Sequence, residues 1–134
     1  MAGAAKVTAK LKVTGLGDTI EKDIENVSLT VPVEVASGYV VHATAQVTAI
    51  QLSSLAPQIA LTKMYHLLII SRVGTIYVNL DTAGTATFAA AAADLVINVG
   101  EAALLPLNPA GNLGVTIDAS AVTDAFEWFL LGSA

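Results

Sequence analysis

The sequence has no cysteine, little charge and no long apolar run. Without cysteine, disulfide bonds and thiolate metal sites are excluded, so we expect packing to stabilise the fold. No stretch approaches the roughly 20 apolar residues that a membrane-spanning helix needs, which predicts no integral membrane protein of the helical type. The opening MAGAAKVTAK lacks the continuous apolar segment of a secretory signal. We therefore expect synthesis and assembly in a cytoplasm.

Charged residues make up only 13% of the 134 residues, against about 25% in ordinary soluble domains. Hydrophobic residues account for 54%, and the mean hydropathy is +0.69. Monomers seldom expose apolar patches larger than a few hundred Å², so this composition indicates that partners cover part of the surface. An alanine-rich surface that raises hydropathy without forming patches is the alternative. The net charge of −5 argues against nucleic acid as the main partner, because phosphate binding needs clustered lysine and arginine.

No group of residues in the sequence indicates catalysis, a cofactor or a metal ion. His42 and His66, the two histidines, lack the spacing to a second ligand that metal sites show. There is no GxSxG motif, and the GLG at 15–17 does not continue into a phosphate-binding loop. An acidic cluster lacks the ordered spacing of a calcium loop, so a solvated acidic face is favoured: Asp18, Glu21, Asp23 and Glu25. We predict no catalytic, cofactor-binding or metal-binding residues, and no enzyme.

The N-terminal segment 1–17 is basic and amphipathic. It carries three lysines and no acid, a charge of +3 that leaves −8 for the rest of the chain. From residue 6 to residue 14, apolar and polar residues alternate strictly, which predicts a half-buried strand. Such an arm can fold back into its own sheet or add to the sheet edge of a neighbouring subunit. The candidate interface residues are Lys6, Val7, Lys10, Leu11, Lys12 and Val13.

The rest of the chain consists of β-rich stretches separated by turn residues. We count roughly eight to ten strands, spaced by about 8–12 residues, which is typical of an antiparallel sandwich or barrel. Tyr65 to Val73 and Thr75 to Leu80 flank Gly74 and are predicted to meet at a tight turn. No linker is present, so we predict a single domain over 1–134.

The C-terminal strand contains three of the few aromatic residues, in FEWFLLG at 126–132. Alternation places Phe126 and Trp128 on one face and Glu127 and Phe129 on the other. A closing strand packed on both faces is favoured over a ligand-binding platform.

Three segments from about Leu61 onwards resemble small virion proteins of tailed bacteriophages. They are HLLIISRVGTIYVNLDTAG, ADLVINVGEAALLPLNPAG and VTIDASAVTDAFEWFLLG. The resemblance covers a little over half of the chain and implies a jelly-roll-like β-sandwich used for capsid decoration or cementing, or in the neck, tail or baseplate. It carries no catalytic residues, and the first sixty residues show no comparable likeness.

Together, these observations predict an all-β protein: an antiparallel, jelly-roll-like β-sandwich of roughly eight to ten strands. We expect a structural component of a phage virion, most simply a capsid decoration or cement protein that stabilises the shell. Its expected partners are further copies of itself, for example in a trimer, and the major capsid protein. The alternative is a glycan- or receptor-recognition module of a tail fibre or baseplate, which would bind through loops such as 81–85 or 108–112.

Overall fold

The computed structural model of the protein describes residues 4–14, 20–28, 34–41, 50–80, 93–108 and 115–132. The chain divides into two compact units, Met1–Val33 and Glu34–Ala134. Whether these units form one domain, as the sequence predicts, stays a prediction, and each is described by itself. His42, Asp18 and the loop 81–85 lie outside the described residues.

The first unit is an antiparallel pair of strands, β1 (Lys6–Val13) and β2 (Ile20–Ser28). The predicted strand over 6–14 is confirmed, but it is not half-buried along its length. Val7 is partly buried, whereas Ala9 is exposed and Leu11 is 64% exposed. The described apolar side chains of β1 are therefore largely open to solvent.

The second unit contains eight strands and two short helices among its described residues. These are β3 (Glu34–Val41), β4 (Ile50–Gln51), α1 (Leu52–Leu55), a 3₁₀ helix (Leu61–Lys63), β5 (Met64–Val73), β6 (Ile76–Asn79), β7 (Leu95–Ile97), β8 (Ala102–Pro106), β9 (Thr116–Ala119) and β10 (Ala125–Gly132). With the hairpin, the described residues form ten strands, all paired antiparallel. The predicted all-β, antiparallel class is confirmed.

The strand order of the second unit is that of a jelly roll. One sheet, the larger, has the order β3-β10-β5-β8, and the other, the smaller, has the order β4-β9-β6-β7. The first strand of the unit thus pairs with the last, the second with the seventh, the third with the sixth and the fourth with the fifth. In this pattern a single long hairpin, made of four successive strand pairs, is folded over into two sheets. It contains eight strands and two Greek keys. The jelly-roll-like prediction is confirmed by this order.

The inner faces of the two sheets share one hydrophobic core. Along β10 the core positions are Phe126, Trp128 and Leu130, which are 0%, 5% and 0% exposed. Residues from both sheets complete the cluster: Ala36, Met64, Leu67, Ile69, Ile76, Val78, Ile97, Ile117 and Ala119. Period-two alternation therefore selects one side of each central strand for the core, as pleated strands require.

The turn at Gly74 joins strands of different sheets, so β5 and β6 do not pair as a hairpin. β5 pairs with β10 and β8, whereas β6 pairs with β7 and β9. Gly74 has a φ of +70°, and its carbonyl oxygen accepts a hydrogen bond of 2.8 Å from Ser71 Oγ. The predicted tight turn is present, but it carries the chain from one layer to the other.

Candidate interaction surface

The outer face of the larger sheet is the most unusual surface among the described residues. Backbone register places twelve positions on it, in three rows that run across the four strands. The rows are Val35, Leu131, His66 and Pro106; Ser37, Phe129, Leu68 and Leu104; and Tyr39, Glu127, Ile70 and Ala102. We call these twelve residues the outer face.

The outer face is apolar and at least partly exposed at every position. Nine of its twelve positions are apolar or aromatic, and none of the twelve is buried. Val35 is 61% exposed, Tyr39 is 56% exposed, and Phe129, at the centre, is 38% exposed. Antiparallel sheets with one solvated face normally alternate apolar and polar residues, so the second face of such a sheet is polar. Here both faces are apolar, and only one of them is packed.

One ion pair supplies the charge at this surface. Arg72 follows Ile70 on the same side of β5, and its Nε and Nη2 lie 2.8 and 2.6 Å from Oε2 of Glu127. The two side chains are 49% and 31% exposed, so water screens the pair and its contribution to stability is small, roughly 0 to 1 kcal/mol. The surface is consequently close to neutral.

The smaller sheet has a different outer face. Its register pairs Tyr77 with Asp118 and Asn79 with Thr116. Thr116 is 2% exposed and Asp118 is 0% exposed, and Asp118 Oδ1 accepts a hydrogen bond of 2.7 Å from the amide of Ala119. Polar side chains thus occupy these positions, where the larger sheet carries leucine, isoleucine and phenylalanine. Among its described residues the smaller sheet therefore lacks a continuous apolar outer face, although Val96, opposite Tyr77, is 52% exposed.

His66 lies in the first row of the outer face, between Leu131 and Pro106. Burial lowers its pKa from the ordinary value of 6.5, because desolvation disfavours the charged imidazole. Its Nδ1 is buried without a hydrogen-bond partner among the described residues. In that same part of the chain, no three or more His, Cys, Asp or Glu side chains are grouped as metal ligands would be. His66 therefore belongs to the apolar surface in this structure.

Three acids of the acidic cluster, Glu21, Asp23 and Glu25, lie on β2, the strand that pairs with β1 of the N-terminal arm. Lys10 forms a salt bridge with Glu21, and the register places Lys10 opposite Asp23 and Lys12 opposite Glu21. Glu21, Asp23 and Glu25 are exposed. In the charge balance of the sequence, these acids belong to the −8 of the residues after 17, opposite in sign to the basic arm. The structure places them on β2, so part of the arm's positive charge is balanced within the hairpin itself.

The six candidate interface residues of the arm are all located on β1. Lys6, Lys10, Leu11 and Lys12 are exposed, Val7 is partly buried, and Val13 pairs with Ile20 in the backbone register. β1 pairs with β2, so one of its two edges is occupied. Docking of this arm on a neighbouring subunit stays a prediction.

The buried polar groups near Gly74 have a structural explanation. Asp124 is 6% exposed, and its Oδ2 accepts hydrogen bonds of 2.5 Å from Ser120 Oγ and 2.9 Å from the amide of Ala121. These bonds hold the turn between β9 and β10, and the neighbouring Ser71 hydroxyl is bonded to the turn at Gly74. These hydrogen bonds pair the buried polar groups of the two turns, and no histidine among the described residues takes part in them.

The outer face was not among the predicted sites, although the sequence contains a signal for it. The runs HLLII in β5 and FEWFLL in β10 place apolar residues at both odd and even positions, which is typical of strands buried on both faces. We expected β10 to be packed on both sides. Its inner side is packed, whereas its outer side, with Phe129, is open.

Comparisons with known proteins add no relative: no protein-family model matches the chain, and neither do any curated protein or any solved structure. In the part of the chain that the structure describes, there is no helix with the length and apolar character to cross a membrane.

Proposed function

We propose that this protein is a structural subunit of a tailed-phage virion, a decoration or cement protein that stabilises the shell by associating with itself and with the major capsid protein. The observation that carries the proposal is the outer face of the larger sheet. Its strands have the composition of strands buried on both sides, yet none of the twelve outer positions is buried. A surface of this kind is suited to burial against another protein.

Two further arguments support a place in a virion. The jelly-roll winding occurs in viral capsid proteins, although it also occurs in lectins, so it supports the proposal only by analogy of fold. The sequence resemblance of 66–84, 93–111 and 115–132 to small phage virion proteins is the second argument. These segments supply most of β5 and all of β6, β7, β8, β9 and β10, and β5, β8 and β10 make up most of the outer face.

The proposed role requires no catalytic residues in the chain, because buried apolar area is enough to hold the copies together. Apolar area removed from water contributes on the order of 25 cal/mol per Å². In a shell, identical copies repeat each contact. Contacts that are individually weak therefore stabilise the assembly through their number.

Fractionation of a lysate that contains the particles would test the proposal. An antibody raised against the purified protein would follow it through a density gradient, with the major capsid protein as the particle marker and an abundant host enzyme as the contamination control. We expect this protein to sediment with the capsid marker and to remain there after a second gradient. Recovery only in the soluble fractions, with the host enzyme, would overturn the virion assignment.

The recognition module is the second candidate, because lectins also use the jelly-roll winding. Of its proposed loops, 81–85 and 109–112 lie outside the described residues, and Asn108 follows β8. A glycan array separates the two functions. A cement protein gives no signal above an unrelated protein of similar charge, whereas reproducible binding to one glycan class would favour recognition.

A further inference from the structure

We infer that the outer face is the contact between two copies of this chain, which pack their larger sheets against each other about a twofold axis. This inference rests on the proposed structural role and names the partner and the surface. Sheets packed face to face lie about 10 Å apart, with their strands roughly aligned, and both contacting faces are apolar. The outer face has this composition, and Phe129 lies in its central row on the central strand β10.

Charge favours a second copy as the occupant. The chain carries a net charge of −5, yet the outer face contains one acid, Glu127, which is paired with Arg72 at its margin. Two such faces therefore meet without net repulsion. A twofold contact must be self-complementary, because each residue meets the same surface on the other copy. A neutral apolar face satisfies that condition, whereas a face with one sign of charge does not.

The size of the outer face fits a weak, specific dimer. Four strands spaced by about 4.8 Å are roughly 19 Å wide, and the eight residues of β10, at about 3.3 Å each, are roughly 26 Å long. The footprint of the whole sheet side is then at most about 500 Å² per copy, or about 1,000 Å² for two, because β8, with five residues, is shorter than β10. That is near the lower limit for a specific interface and below the standard of about 1,600 Å². We expect dimers that form at micromolar concentrations and dissociate on dilution.

The hairpin of a neighbouring copy is a less suitable occupant. Among the described residues of β1, the exposed apolar side chains are those of Ala9 and Leu11. The backbone register places Lys22 opposite Leu11. Burial of that region against an apolar sheet would desolvate or displace a lysine, which is unfavourable without a partner. The outer face carries no unpaired carboxylate to receive it, because Glu127 is bonded to Arg72.

Sedimentation equilibrium of full-length variants tests the inference. Phe129→Lys alters the centre of the outer face, and Val35→Lys alters its rim, where the side chain is 61% exposed and a change should not disturb folding. Val96→Lys is the matched control, because Val96 is 52% exposed and belongs to β7 of the smaller sheet. Leu11→Lys probes the hairpin. Each substitution moves the net charge towards zero, so general repulsion between copies is reduced and cannot explain dissociation.

We expect the wild type to reach twice 13.7 kDa at high concentration. Phe129→Lys and Val35→Lys should raise the dissociation constant at least about tenfold, whereas Val96→Lys and Leu11→Lys should change it less than about twofold, with unchanged circular dichroism. A tenfold change corresponds to about 1.4 kcal/mol.

Other outcomes overturn the inference in different ways. If Leu11→Lys alone dissociates the oligomer, the hairpin carries the association, and the structural role survives without this interface. If both outer-face variants keep the wild-type mass, the face is not the contact. A wild type that is monomeric at every concentration removes the dimer, and the lysate gradient then decides separately whether the protein belongs to a virion.

Discussion

At the scale of single residues, Gly74 is the described glycine at which an added side chain would meet its surroundings most closely. It has a φ of +70°, and a Cβ built there would overlap the carboxylate of Asp124. Asp124 cannot withdraw without losing its bonds to Ser120 and Ala121. The turn between the two sheets therefore depends on the absence of a side chain.

We predict that Gly74→Ala lowers the free energy of unfolding by about 3 kcal/mol or more, because positive φ and overpacking both oppose alanine. Gly100→Ala is the matched control. Gly100 has a φ of +85°, but nothing lies within 4 Å of a Cβ there, so backbone strain alone should cost about 1 to 2 kcal/mol. Urea unfolding of both variants measures the difference, and equal losses would show that the Asp124 contact does not matter.

His66 should make stability depend on pH. Its pKa is lowered by burial in the folded protein, so the unfolded chain binds a proton more readily. The stability is then highest above the unfolded pKa of about 6.5, and this contribution is lost as the pH falls through that value towards the folded pKa. Its neighbours in the row, Leu131 and Pro106, carry no charge that would offset the effect.

We predict that wild-type protein loses more unfolding free energy than His66→Gln between about pH 7.5 and about pH 5.5. Glutamine is neutral and polar, so it keeps the size of the side chain approximately and removes the titration. Urea unfolding at the two pH values measures both losses. A loss that is the same in the two proteins would assign the pH dependence to other groups.

At the scale of elements, β10 shows how one strand serves two surfaces. Phe126 is 0% exposed in the core, and Phe129 is 38% exposed on the outer face. Both side chains are phenylalanine on the same central strand, so a comparison between them isolates the effect of burial.

We predict that Phe126→Ala destabilises the monomer by about 3 to 5 kcal/mol, because it leaves a cavity in the core. Phe129→Ala should cost about 1 kcal/mol in dilute solution, since part of its surface is already exposed. Thermal or urea unfolding below the dimer concentration measures both. Equal costs would mean that Phe129 is packed within the single chain, contrary to its exposure.

The strands and the turns between them follow from local sequence, but the partners of the strands do not. Alternation predicts β1 and β10 because each Cβ points to the opposite side from its neighbour. The same alternation says nothing about whether β5 pairs with β6 or with β10. Proximity along the chain favours the hairpin at Gly74, and the structure instead pairs β5 with a strand about sixty residues away in sequence.

At the scale of the whole molecule, the structure shows where exposed apolar residues lie in a chain of low charge and high hydropathy. Part of the apolar excess lies on the outer face of one sheet, where Val35, Tyr39 and Phe129 are exposed, and the acidic residues Asp94, Glu101, Asp118 and Asp124 lie off that face. The chain can therefore be acidic overall and still present a neutral surface to a partner. Composition indicates that such a surface exists, but not where it is.

We predict that salt does not dissociate the oligomer. Raising sodium chloride from about 0.05 M to about 0.5 M screens the repulsion between two chains of net charge −5 and leaves the burial of apolar surface intact. Light scattering after size exclusion should give the same mass or a larger one at the higher salt. A fall to 13.7 kDa would instead indicate that charged contacts, such as those of the basic arm, hold the copies together.

The sequence by itself determined the all-β class, the absence of GxSxG, phosphate-loop and calcium-loop motifs, and the strand character of β1 and β10, because these depend on composition and on local residue patterns. Only the tertiary structure decided the jelly-roll order and the pairing of the lysine-rich β1 with the acidic β2. It also decided which of the two apolar sides of β10 is packed. Those outcomes depend on contacts between residues far apart in the chain, such as Arg72 with Glu127, whose geometry no local pattern encodes.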